Sequence, residues 1–154
     1  MKLNDNYFMK KAIKIANDAI INGEVPVGAI IVLNEKIIAR AHNQTENLND
    51  VTAHAEMLSI TSASNFLNSK FLKGCTMYVT LEPCIMCCGA LYHSQIDRLV
   101  YAASDDKGGI TRGIKLHPKT KITRGIMKME SERIIKNFFN QLRLKKIKKT
   151  NFEN

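Results

Sequence analysis

Apolar side chains recur at Phe8, Ala12, Ile15, Ala16 and Ala19 with lysines opposite them, the interval of a helix with one buried face. Asn22-Gly23 supplies its stop signal. Residues 25–33 are apolar on successive positions, which predicts a central strand covered on both faces. Asn34-Glu35 then turns the chain into a second strand over 37–41, and residues 42–50 form a polar loop. Thr52 reads as the N-cap of a helix that begins at Ala53 and fades near Ser64. Residues 75–80 alternate and favour a strand, and Pro83 opens a helix that runs to about His93. Strand signals return over 99–103 and, more weakly, over 121–126. Ile134, Ile135, Phe138, Phe139 and Leu142 form the apolar stripe of a final basic helix, roughly 129–149, with the last few residues frayed. Helices alternating with short apolar strands predict an α/β fold with helices on both faces of one sheet.

Length adds a bound: 154 residues suit a single domain, 1–154, with an ordinary core. At 45% hydrophobic and 24% charged the chain is globular, which excludes collagen-like, low-complexity and wholly disordered classes. Its longest apolar run, 25–33, falls short of the roughly 20 residues a membrane helix requires. Asp5 and Asp18 interrupt the N-terminal segment, which lacks the apolar stretch of a secretory signal. Three of the four cysteines crowd at Cys84, Cys87 and Cys88, which points to metal or redox chemistry in a reducing cytoplasm rather than to disulfides.

Charge changes the picture more by its distribution than by its total. Residues 1–106 carry 9 basic and 11 acidic side chains, whereas residues 107–154 carry 14 and 3. A general bias toward lysine explains a basic total but not this segregation. A polyanionic partner does explain it, and without a transmembrane segment or lipid anchor nucleic acid is the leading class.

Two short words open predicted helices, Thr52-Ala-His-Ala-Glu56 and Leu81-Glu-Pro-Cys-Ile-Met-Cys87. A Cys-x-x-Cys at a helix start favours thiolates, because amides and dipole point at the sulfurs. Zinc takes such a pair together with imidazole. His54 and Glu56 are two residues apart and cannot share a helix flank, so both reach one ion only if the helix end points at it. Two helix N-termini must therefore converge on one metal above the strand ends. His54, Cys84 and Cys87 make three ligands and leave a fourth position for water, as catalytic zinc sites do. Glu56 beside that position reads as a proton carrier, because two thiolates blunt the Lewis acidity of the metal. Cys88 either closes the site as a fourth ligand or fills the core as a small hydrophobe. Cys75 reads as core; His42, His93 and His117 read as loop, helix-surface and turn residues. Glu82 supports the metal helix or is a solvated turn residue.

His-x-Glu with Pro-Cys-x-x-Cys is the general signature of zinc nucleobase deaminases. Beyond it, Gly23-Glu-Val-Pro-Val-Gly-Ala29, Tyr78-Val-Thr-Leu-Glu-Pro-Cys84, Ser104-Asp105 and Phe138-Phe139 with Leu142-Arg143 resemble bacterial tRNA adenosine deaminases of the anticodon wobble position. The resemblance runs from about Tyr7 to Lys146. It implies a cytidine deaminase-like three-layer fold on a mixed sheet of about five strands, one Zn2+ per chain, a tRNA anticodon stem-loop substrate and a homodimer. It further implies that Asn43 and Asp105 contact the flipped nucleoside or its neighbour and that Val25, Leu81 and Ala103 line the base pocket. Phe139 and Arg143 would hold the RNA. Residues 106–117 are shorter than in some members, and Cys88 stands where alanine is common. The expected reaction is hydrolysis of adenosine to inosine, with Glu56 moving the proton. The rival readings are a deaminase of a free base or nucleotide (guanine, cytosine or dCMP) and a non-catalytic RNA-binding module whose metal Cys88 closes.

Overall fold

The computed structural model describes residues 2–152. Its elements are α1 (Asp5–Ile21), β1 (Gly28–Leu33), β2 (Lys36–His42), α2 (Ala55–Leu67), β3 (Cys75–Leu81), α3 (Ile85–Ser94), β4 (Arg98–Ala103), β5 (Lys121–Arg124) and α4 (Lys128–Phe152). The strands form one sheet in the order β2-β1-β3-β4-β5. β1 pairs antiparallel with β2 and β3, while β3–β4 and β4–β5 are parallel. The sheet is therefore mixed and five-stranded, as expected.

Alternation along the three inner strands sorts the core into two layers. Ile31, Met77, Val79, Leu99 and Tyr101 face one way and pack with Ala55 and Ala63 of α2 and Leu91 of α3. Ile30, Val32, Tyr78, Val100 and Ala102 face the other way against Phe8, Met9 and Ala12 of α1. α4 contacts α1, β3 and β4, and the buried Ser131 hydroxyl donates to Thr80 O at the end of β3. α1 lies so close to β1 that a Cβ at Gly28 would sit 2.1 Å from Ala12 O, which requires glycine there.

Several boundaries move for identifiable reasons. The first strand begins at Gly28 and not at 25, because Glu24 is buried and its carboxylate accepts from Asn47 N (2.8 Å) and Glu46 N (3.3 Å). The segment 24–27 is thus a bracket for the loop before α2. Thr52 is not an N-cap: its amide and hydroxyl both donate to Asp50 Oδ1 in a local turn. The helix starts at Ala55 with His54 as the N-cap residue, and runs to Leu67, past Ser64. Pro83 likewise precedes the cap residue Cys84 and is not the first helical residue. Asn34 and Glu35 take positive φ (48° and 61°), the two-residue turn that matches strand twist. The last helix is longer at both ends than 129–149 and is regular to Phe152, and the fraying expected of the final residues otherwise falls outside the described ones. No helix among the described residues is long and apolar enough to cross a membrane.

Candidate active site

β3 and β4 are parallel, and the chain leaves both at the same edge of the sheet. β3 hands on to Glu82-Pro83-Cys84 and β4 to Ser104-Asp105, beside the N-termini of α2 and α3. Strand carboxyl ends are where open α/β sheets bind ligands. A cavity of about 750 Å³ opens there, with His54, Glu56 and Cys84 in its wall.

His54 and Cys84 are the N-cap residues of α2 and α3, and neither uses its side chain to cap. The α2 end is capped from outside: Asn43 Oδ1 accepts from Ala55 N at 2.8 Å. That outside cap frees the His54 ring for the cavity. His54 Nδ1 stands 3.6 Å from Cys84 Sγ and 3.6 Å from Cys87 Sγ. Around a tetrahedral ion with bonds of about 2.3 Å to sulfur and 2.0–2.1 Å to nitrogen, those atoms belong roughly 3.5 Å apart, so the donors fit zinc. Among the described residues His54, Cys84 and Cys87 are the group able to hold a metal ion.

Cys88 is excluded from that group. Its Sγ donates to Pro83 O at 3.5 Å and lies under Gly109, where an added Cβ would be 2.7 Å from it. Burial pushes its thiol up to about 12. Cys75 is buried in the core, as expected.

Electrostatics at the cluster are uneven. Cys84 is pulled down to about 3, first by the hydrogen bond from the Cys87 thiol and then by His54. Cys87 moves up in turn, because it donates to Cys84 and is buried. The negative charge of the pair thus rests on Cys84, at the helix N-terminus. His54 is raised chiefly by its hydrogen bond with Cys84. Glu56 is 3% exposed, and burial pushes its carboxyl up to about 7. Its Oε2 has no hydrogen-bond partner although it is buried. A buried carboxyl with one oxygen unpartnered, next to a metal-donor cluster and near neutral pKa, is suited to taking up and releasing a proton.

The other residues expected from the sequence separate into two groups. Val25, Asn43, Leu81, Ala103, Asp105 and Phe139 all line the cavity. Arg143 does not: it lies one turn beyond Phe139, exposed, with its guanidinium on Asn140 Oδ1. The sequence reading did not assign Val27, Thr45, Ser104, Lys107, Glu132, Ile135 and Lys136 to the site, although they also line the cavity. Glu132 and Lys136 were legible as neighbours of Phe139 at helical spacing, and Ser104 as the neighbour of Asp105 in a resemblance word; Thr45 carries no such signal. Glu82 is not a solvated turn residue. It is 2% exposed, accepts from Thr111 Oγ1 (2.7 Å) and Thr111 N (3.0 Å), and fills the space against Gly108, where a Cβ would come within 1.8 Å of its Oε2. With Gly109 N donating to Pro83 O (2.8 Å), these contacts fasten the loop that carries Asp105 and Lys107 to the cavity mouth.

A three-layer sheet fold whose helix ends gather a His/Cys/Cys cluster and a buried glutamate defines a deaminase, and the model of the MafB19-like deaminase family matches residues 3–143. The tRNA-specific adenosine deaminase of Aquifex aeolicus is 43% identical over 147 residues, 92% of this chain and 97% of that protein. A structure from work on A-to-I editing by tRNA:A34 deaminases at the wobble position of transfer RNA has a TM-score of 0.77 and 40% identity, covering 83% of this chain and 98% of its own. A guanine deaminase from Bacillus subtilis reaches a TM-score of 0.65 at 35% identity, over 72% of this chain and 71% of its own. The chain belongs to the family of tRNA-specific adenosine deaminases.

Proposed function

We propose that the chain hydrolyses adenosine to inosine at the wobble position of tRNA anticodons, releasing ammonia. The observation that carries this reading is the buried, partnerless Oε2 of Glu56 beside the His54, Cys84 and Cys87 donors in the cavity wall. His54, Cys84 and Cys87 would hold Zn2+, which when bound supplies the Lewis acidity that makes water nucleophilic at neutral pH. Glu56 Oε2 takes one proton from the attacking water and delivers it to N1 of the base, then takes the second from the hydroxyl now on C6 and delivers it to the amine, which leaves as ammonia while C6 becomes a carbonyl. Val25, Leu81 and Ala103 enclose the base in apolar surface. Asn43 offers its amide Nδ2 to the nucleoside, since Oδ1 is committed to Ala55 N. Asp105 offers the second carboxylate oxygen, since Oδ1 accepts from Lys107 N.

The target base must leave its stack to reach such a cavity, which an anticodon loop permits at low cost. Phe139 stacks on the loop and Arg143 meets its phosphate or base. In the same reading two copies pair as a homodimer, and exposed Leu48, Val51, Ile85 and Tyr92 supply apolar surface for that pairing. The tRNA pool makes the cytoplasm its place of action. The test is incubation of the zinc-loaded protein with an anticodon stem-loop bearing wobble adenosine. Inosine at that position, with free adenosine and guanine untouched, is the expected result. Turnover of the free bases without the stem-loop overturns it.

A further inference from the structure

Glu132, Ile135, Lys136 and Phe139 line the cavity from α4, at the spacing of a single helical face. α4 does not stop there. It runs on for more than three turns to Phe152, and every described residue from Phe139 onward is exposed. At about 100° per residue, Arg143 lies roughly 40° from the Phe139 direction and Lys146 roughly 20°. Lys149 flanks this line, and Lys148 points to the opposite side. By helical rise Lys146 and Lys149 stand about 10 and 15 Å farther along the axis than Phe139. No acidic residue follows Glu132 on this helix, while Arg133, Lys136, Arg143, Lys145, Lys146, Lys148 and Lys149 are all basic. The family match ends at residue 143, so Lys146 and Lys149 lie beyond it.

We infer that Lys146, flanked by Lys149, continues the substrate-facing track of α4 onto the RNA backbone, binding phosphates of the stem strand that runs out from the nucleotide in the cavity. The inference rests on the tRNA reading above and extends it from the loop to the stem. Charge complementarity selects the partner: the track begins at the cavity, and beyond Phe139 its charged side chains, Arg143, Lys146 and Lys149, are all positive. A helix whose terminal lysines served only solubility or its own dipole would make no distinction between Lys146 and Lys148, which differ in direction and not in charge.

That difference supplies the experiment. Full-length zinc-loaded protein is assayed on an anticodon stem-loop and on the same loop sequence without its stem, across a salt series. Lys146→Gln is expected to raise KM for the stem-loop roughly two- to fivefold with kcat unchanged. It should also flatten the slope of log kcat/KM against log salt by about 0.7–0.9, the value of one phosphate contact. Lys146→Arg should restore both, and Lys146→Gln with Lys149→Gln should deepen both losses. Lys148→Gln should behave as wild type, and all variants should coincide on the stemless loop. Equal effects from Lys146→Gln and Lys148→Gln overturn the inference, as does an unchanged Lys146→Gln in a protein that edits the stem-loop. A wild type that turns over free bases and leaves the stem-loop intact overturns the tRNA reading itself and this extension with it.

Discussion

Glu56 and Cys88 show how far one residue's role follows from its type and how far from where its neighbours hold it. His-x-Glu spacing placed the carboxylate near the donors, but burial without a partner for Oε2 is a fact of the folded chain. Glu56→Gln keeps the shape and removes the titrating group. It is expected to retain zinc at wild-type stoichiometry while losing roughly 10²–10⁴ in kcat, measured by metal analysis beside single-turnover inosine formation. Retained turnover removes Glu56 from the proton path. For Cys88 the sequence favoured the core but left a ligand role open, since Cys84 and Cys88 are four residues apart on one helical flank. The structure decides: Cys84, the cap residue outside the regular helix, sets its sulfur against His54 Nδ1, whereas the Cys88 sulfur donates to Pro83 O. Cys88→Ala is therefore expected to keep both metal and activity and to lose about 1 kcal/mol of stability through lost packing against Gly109. Loss of the metal would make Cys88 a ligand after all.

Among elements, those with strong periodicity were legible and those made by long-range contacts were not. α1 and the hairpin of β1 and β2 follow from apolar spacing and a turn dipeptide. The start of α2 was misjudged because its cap comes from Asn43, twelve residues upstream, a partnership without any local signature. The loop after β4 was opaque for the same reason, being held by Glu82 from the end of β3. Glu82→Ala should release that loop and, with it, Asp105 and Lys107. The expected result is a KM for the stem-loop raised roughly tenfold, a smaller change in kcat and faster amide exchange over residues 105–114. Glu82→Gln, which can still accept from Thr111, should recover most of it. Asp5 is a second tie between elements: its carboxylate receives Arg98 Nη1 and Nη2 (2.8 and 2.7 Å) and the Tyr78 hydroxyl (2.9 Å), joining α1 to β3 and β4. The Arg98 guanidinium holds its carboxyl below the ordinary 3.8. A lowered folded-state pKa gives stability that is complete above the ordinary value and is lost as pH falls through the folded one. Asp5→Asn should cost about 1 kcal/mol in urea unfolding at pH 7. The gap from wild type should narrow as the pH drops below about 4. A gap constant with pH would mean that the ion pair contributes nothing.

At the scale of the whole molecule the segregated charge was readable from sequence alone, because it needs no contact to be seen. The convergence of α2 and α3 was readable only as a requirement, that two helix ends meet at one ion. In the fold these ends belong to segments 30 residues apart, His54 and Cys84, joined at the site by donor atoms 3.6 Å from each other. A metal there ties the helical layer of α2 and α3 together at its open edge, whereas the two apolar layers over the sheet are complete without it. Removing the metal should therefore abolish turnover and lower stability without dissolving the fold. A ligand that binds only the native state at a concentration 100 times its Kd adds about 2.7 kcal/mol. For a chain of this size that corresponds to a Tm shift of roughly 5–10 °C. Stripping the protein with a strong chelator should produce such a shift with the far-UV circular dichroism retained, and added Zn2+ should restore both Tm and inosine formation. Collapse of the dichroism on chelation would make the ion a structural requirement of the sheet and its helices, and an unchanged Tm with full activity would remove the metal from the account of this site.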